Sequence, residues 1–106
     1  MLEIEDTIGK IEAVEKELAD HKIKLMGLEL ARDVESAKLQ SKSKEEWKEL
    51  GITNAEGRKA HIDLELLFIK KEILGVKTSI LRCEVDLRNL NRSLDFKVWK
   101  YNEGGY

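Results

Sequence analysis

IDLELLFIKKEILGVKTSILRCEVDLRNLNRSL, residues 62–94, decides the fold. Within it Ile62, Leu66, Ile69, Ile73, Val76, Ile80, Cys83, Leu87, Leu90 and Leu94 follow one another at alternating steps of four and three. This is the repeat of a coiled-coil seam, in which every marked side chain faces a neighbouring helix. A strand would alternate at every second residue instead. Val98 and Tyr101 can continue the seam, so the spacing predicts one helix over about 54–101, roughly 72 Å at 1.5 Å per residue.

Upstream, Ile4, Ile8, Ile11, Leu18 and Leu25 fall on one helical stripe, with Val14 and His21 covering the gaps left by Glu15 and Lys22. A second stripe of Ile23, Met26, Leu30, Val34 and Ala37 widens the apolar face. A first helix over about 2–41 follows. Periodicity fails across Gln40 to Lys44, and Ser43 with Glu46 three residues on is a capping box that opens a short helix over about 44–50. Gly51 suits the left-handed residue that ends a helix, and Thr53 with Glu56 reads as a second capping box, starting helix two near Asn54. Gly27 and Gly75 read as tolerated gaps in the long helices, and Gly104 to Tyr106 as a fraying tail.

Two long helices with a compact connector fold back as an antiparallel hairpin. Charge supports that direction: residues 1–20 hold seven acids against two lysines. Residues 80–101 hold Arg82, Arg88, Arg92, Lys97 and Lys100 against Glu84, Asp86 and Asp95. Exposed pairs of this kind set register more than stability. The expectation is therefore all-α, a single helical-hairpin domain spanning 1–106. Proline is absent, and the composition is that of long helices.

The chain has 106 residues, so its core is thin unless a second copy shares it. On helix two, Ala60, Leu67, Leu74 and Leu81 recur every seven residues, about 100° around from the main seam. One hairpin does not bury both lines. Dimerisation into a four-helix bundle covers the second, which makes Leu67, Leu74 and Leu81 the expected homodimer interface.

With 21 acidic and 19 basic side chains the formal charge is -2, so no global positive field draws nucleic acid. The single cysteine forms no internal disulfide, the acidic amino end lacks a secretory signal, and no stretch reaches the length of a membrane span. A cytoplasmic protein with no membrane attachment is expected.

Residues able to carry chemistry are few. His61 and Glu65 stand one turn apart, but this is half a metal site, and His21 lies far along helix one. Cys83 reads as a small buried hydrophobe with no histidine near it in sequence. No phosphate loop, zinc-spaced cysteine set or nucleophile elbow occurs. The reading assigns no catalytic residue, no metal and no cofactor.

Binding residues are easier to nominate. Trp47, near Leu50 and Ile52, either closes the hairpin end over Ala60 and Ile62 or offers an apolar knuckle there. Trp99 cannot face the same neighbour as Val98 and, with Tyr101, is the better candidate for a partner contact. Lys70, Lys71, Lys77, Arg82, Arg88 and Arg92 form a loose basic band, the alternative nucleic-acid surface, weakened by Glu72, Glu84 and Asp86. The acidic start of helix one gives a further alternative, imitation of a phosphate backbone.

The connector EWKELGITNAEGRKAHI, residues 46–62, resembles a segment of small helical-hairpin proteins encoded by bacteriophages and prophages. These share an aromatic, a Leu-Gly pair, a Thr-Asn helix start and an Arg-Lys-Ala-aromatic run, in that order. His61 departs from the tyrosine often found there. The resemblance implies a phage accessory protein with neighbours in recombination or host-defence evasion, and carries over no catalytic residue. The function expected is protein binding, as an anti-CRISPR-like inhibitor or an adaptor acting on a phage or host protein of nucleic-acid metabolism. Direct nucleic-acid binding and a structural bundle in a phage assembly are the alternatives.

Overall fold

The computed structural model describes Leu2–Gly104; Met1, Gly105 and Tyr106, and with them most of the expected tail, lie outside the described residues. Four helices occur in order: α1 (Leu2–Gln40), α2 (Lys44–Glu49), α3 (Ala55–Glu65) and α4 (Leu67–Glu103). No strand occurs among the described residues. The long helix α1 packs against the long helix α4 as a helical hairpin. The chain divides into two compact units, Met1–Ile23 with Val76–Tyr106, and Lys24–Gly75.

In the first unit α1 contributes Ile4, Thr7, Ile11, Val14, Leu18 and His21, and α4 contributes Val76, Ile80, Cys83, Leu87, Leu90, Leu94 and Lys97, all buried or half-buried. Through Leu94 the α4 series is the seam read from the sequence; beyond it Lys97 is the inward residue, and Val98 and Tyr101, expected to continue the seam, are exposed. The α1 series corrects it: Ile8 is exposed, and Thr7, only 2% exposed, holds the seam position instead. Spacing does not choose between them, because steps of three and four from Ile4 to Ile11 pass through either residue 7 or residue 8; packing against α4 does. The hydroxyl is tolerated because both its capacities are used. Thr7 Oγ1 donates to the Glu3 carbonyl at 2.8 Å and accepts from the Lys97 ammonium at 2.7 Å. A polar layer of this kind penalises any slip of one helix along the other, which would leave the group unsatisfied.

In the second unit Leu25, Leu28 and Leu39 of α1 share the interior with Ile62, Leu66, Ile69 and Ile73. Trp47 of α2, 4% exposed, completes it, its ring edge-on to His61 with centroids 5.6 Å apart. The expected second stripe of α1 is not part of either interior. Ile23, Met26, Leu30 and Val34 are exposed, because at 100° per residue they lie about half a turn from Leu25 and Leu28. Gly27 and Gly75 face open space, as a tolerated gap requires.

The connector follows from its caps. Ser43 makes the reciprocal capping box with Glu46, and Gly51 adopts φ 75°, the left-handed turn that ends α2. The second cap is shifted from the expected position by one residue. Asn54, not Thr53, is the N-cap, its Oδ1 accepting from the Gly57 backbone N–H at 2.6 Å. Gly57 permits that closure, since a Cβ there would lie 3.0 Å from the Asn54 oxygen and 3.1 Å from the Ile52 methyl. Asn54→Ala should lower stability by about 1 kcal/mol, read as a reduced melting temperature of the helical circular dichroism.

Helix two is also less continuous than the spacing predicts. It is interrupted at Leu66, which caps α3 at φ -89° and ψ -4°. The path of the seam is unaffected, because Leu66 N–H still donates to Ile62 and Lys70 N–H to the Leu66 carbonyl, both at 3.0 Å. No proline or glycine marks this break in the sequence.

At the paired helix ends Lys97 donates to the neutral Thr7 hydroxyl and not to a carboxylate. The ion pairs Glu17–His21, Arg32–Asp33, His61–Glu65 and Asp63–Lys70 all join residues close in sequence. Seam burial therefore carries the fold, at roughly 1.5 to 3 kcal/mol for each large apolar side chain removed from water.

Candidate interaction surface

A helix that needs to pack against one neighbour places apolar residues on its seam and polar ones behind it. This chain departs from that rule on both long helices. On α1 of the second unit, Met26 is 70% exposed and Leu30 65%. On α3 and α4 of the same unit, Leu64, Leu67, Phe68 and Leu74 are exposed, Phe68 to 72%. In the first unit Leu81 and Val85 continue the outward face of α4. Seven-residue recurrence along one continuous helix puts Leu67, Leu74 and Leu81 on the same outward line, as the sequence indicates.

Near the end of α4, Phe96 and Trp99 stack at a centroid distance of 6.0 Å with their planes tilted by 32°, both 59% exposed. Spacing of three residues on a helix brings the two rings together. Trp99 was a candidate from the sequence and Phe96 was not, although it lies one helical turn before Trp99. Tyr101 is at the margin of exposure, at 37%. Trp47 takes the first of its two readings, buried against His61 as the closing side chain of the connector, so it offers no open knuckle.

Lys70, Lys71, Lys77, Arg82, Arg88 and Arg92 are all exposed. Lys70 lies 3.5 Å from Asp63, and at 100° per residue the six spread over a broad arc of α4 rather than one line. A groove in the second unit gathers Arg32, Arg58, Lys59 and Lys70, but Asp33 and Asp63 line it as well, so its charge is mixed. Arg58 Nε is buried there without a hydrogen-bond partner.

One constellation was not foreseen. Glu17, His21 and Cys83 present a carboxylate oxygen, an imidazole nitrogen and a thiol sulfur that all lie within 4.8 Å of one another. His21 and Cys83 are both seam residues, one on each helix of the first unit, and Glu17 stands one turn before His21. Burial, then the carboxylates of Glu17 and Asp86, push the Cys83 thiol above its ordinary range, with Arg82 opposing them. His61 and Glu65, the pair weighed from the sequence, approach only to 4.0 Å.

Compared with protein-family models, curated proteins and solved structures, the chain matches none. What fold and surface define is a class: an all-α helical hairpin with apolar side chains on the outward faces of its long helices. No helix among the described residues is long and apolar enough to cross a membrane.

Proposed function

We propose that this chain is a non-enzymatic protein-binding module that acts as a homodimer, two hairpins joined along the outward leucine line of α4. The observation that carries the reading is the exposure of Leu74 and Leu81, at 65% and 62%, at a heptad interval on a helix whose seam is already buried. Leucines left in water at regular spacing favour association, since covering each is worth roughly 1.5 to 3 kcal/mol. No large side chain among the described residues is completely removed from water, so one hairpin has only a thin interior and gains from a second.

Within that dimer the Phe96–Trp99 pair is the anchor for a partner protein. Two adjacent exposed rings on a rigid helix offer a large apolar contact at small entropic cost, the usual make-up of a binding hot spot. The connector resemblance supports placing that partner among phage or host proteins of nucleic-acid metabolism or defence, with this chain as inhibitor or adaptor.

Light scattering at micromolar concentration should return about twice the 12.2 kDa chain mass. Pull-down with the tagged dimer from infected or host lysate should then retain a partner that Trp99→Ala loses, by roughly 2 kcal/mol or more in affinity, while the melting temperature stays unchanged. A monomer that stays soluble at high concentration overturns the dimer. Tight binding to DNA or RNA that collapses with added salt would transfer the function to the basic residues of α4.

A further inference from the structure

In one seam layer of the first unit the two helices present unlike polar groups to each other. His21 occupies an inward position of α1, half-buried, and Cys83 an inward position of α4, 3% exposed. Glu17, one turn before His21, holds its Oε1 3.4 Å from the imidazole Nε2. The three donor atoms come from two helices that the hairpin holds together, and all lie within 4.8 Å of one another.

We infer that Glu17, His21 and Cys83 form a binding site for a borderline-soft divalent metal ion of the zinc type, which clips α1 to α4 within one chain.

Donor chemistry supports this first. Thiolate, imidazole and carboxylate are the three side-chain ligands of zinc, with bonds of about 2.3 Å to sulfur and about 2.0 to 2.2 Å to nitrogen and oxygen. A tetrahedral ion with such bonds separates its ligand atoms by about 3.3 to 3.6 Å. The Glu17–His21 edge, at 3.4 Å, already has that length. The two edges to Cys83, at most 4.8 Å long, contract by up to about 1.2 Å to reach that length, through rotation about the side-chain bonds of both Glu17, whose side chain is 61% exposed, and half-buried His21. Spacing of four residues on one helix is also how paired metal ligands of helical sites are presented from a single face.

Binding balances in protons: the sulfur–metal bond forms as the Cys83 thiol proton is released to solvent. The Glu17 carboxylate supplies the negative charge that a dication needs beside it. Cys83 closes the site from the interior, while Glu17 and the exposed edge of His21 leave the fourth coordination position to water. The His61–Glu65 pair has the same spacing but no thiol beside it, which makes it an internal control.

The full chain, kept reduced and freed of metal with chelator, is titrated with Co²⁺ and then Zn²⁺. One Co²⁺ per chain should bind with thiolate-to-metal charge-transfer absorption in the near ultraviolet, Zn²⁺ should displace it, and Zn²⁺ should raise the melting temperature. Cys83→Ala should abolish the charge-transfer band. His21→Gln and Glu17→Gln should each weaken Zn²⁺ binding at least about tenfold, and Glu65→Gln should change nothing. Circular dichroism without metal verifies that each variant folds. If Cys83→Ala does not, the Glu17→Gln and His21→Gln variants carry the test, since each replaces its side chain by a polar one of similar reach. Absence of the charge-transfer band under excess Co²⁺ overturns the site. So does undiminished Zn²⁺ affinity in the His21→Gln, Glu17→Gln double variant, or a stoichiometry of one metal per two chains.

Discussion

Ile73→Glu should abolish the cooperative unfolding transition, whereas Leu74→Glu, one residue away, should leave the hairpin folded and halve its mass in solution. The two side chains point to different faces of α4: Ile73 is 5% exposed and Leu74 65%. A carboxylate at residue 73 enters the seam with no cation to meet it, at a cost of several kcal/mol for an unpaired buried charge, plus the lost burial of isoleucine. Small domains have only about 5 to 15 kcal/mol in total, and this interior is thin, so the folded population collapses. At residue 74 the charge stays in water in the single hairpin and is buried only if a second copy covers it. Chemical denaturation checks the first variant and light scattering the second. Loss of fold in Leu74→Glu at concentrations where the parent is a monomer would mean that the outward line belongs to the hairpin itself.

Trp47→Ala should cost about 3 to 5 kcal/mol, the range for truncating a buried tryptophan, and lower the melting temperature by roughly 15 °C or more. Trp47 is the one buried residue of α2. Its backbone carbonyl also accepts from Leu50 and Ile52 N–H, at 3.1 and 3.0 Å, so the residue ties the turn after α2 from both side chain and backbone. Alanine keeps those backbone bonds and removes the ring that closes the connector against His61. Scanning calorimetry measures the loss. Trp47→Phe should recover much of it, since an aromatic edge is retained. A melting temperature unchanged in Trp47→Ala would show that the connector is held by its caps alone.

Much of this fold was legible because helical spacing is local. The ten seam residues from Ile62 to Leu94 are buried or half-buried without exception. The Ser43–Glu46 box and the left-handed Gly51 are also where their residue types require them. On α1 the spacing misled where apolar residues were abundant. Isoleucine at position 8 outbid threonine at position 7 on hydrophobicity, and only packing against Lys97 shows that the hydroxyl is the inward group. The stripe from Ile23 to Val34 had true helical spacing but the wrong face, since periodicity reports that residues share a side of a helix and not which side meets the neighbour.

The Glu17–His21–Cys83 cluster shows the other limit. Both seam positions were identifiable in sequence, and His21 and Cys83 were each read as inward-facing. What paired them is the register of the hairpin, which depends on how many residues the connector consumes and on where α1 stops. A shift of one heptad would set His21 against another residue, with almost no change in the local sequence preferences. The same holds for Phe96 and Trp99, whose contact is local, set against their exposure, which is not.

By itself, then, the sequence determined the helical class, the seam of α4, the short connector helix and the outward leucines, because backbone propensity, capping and periodicity act over a few residues at a time. Only the tertiary structure decided that Thr7 replaces Ile8 inside, that Trp47 is closed off, and that a carboxylate, an imidazole and a thiol meet across two helices. Those outcomes depend on side chains far apart in the chain competing for the same interior space, and that competition is settled by packing and hydrogen-bond satisfaction once the hairpin has closed.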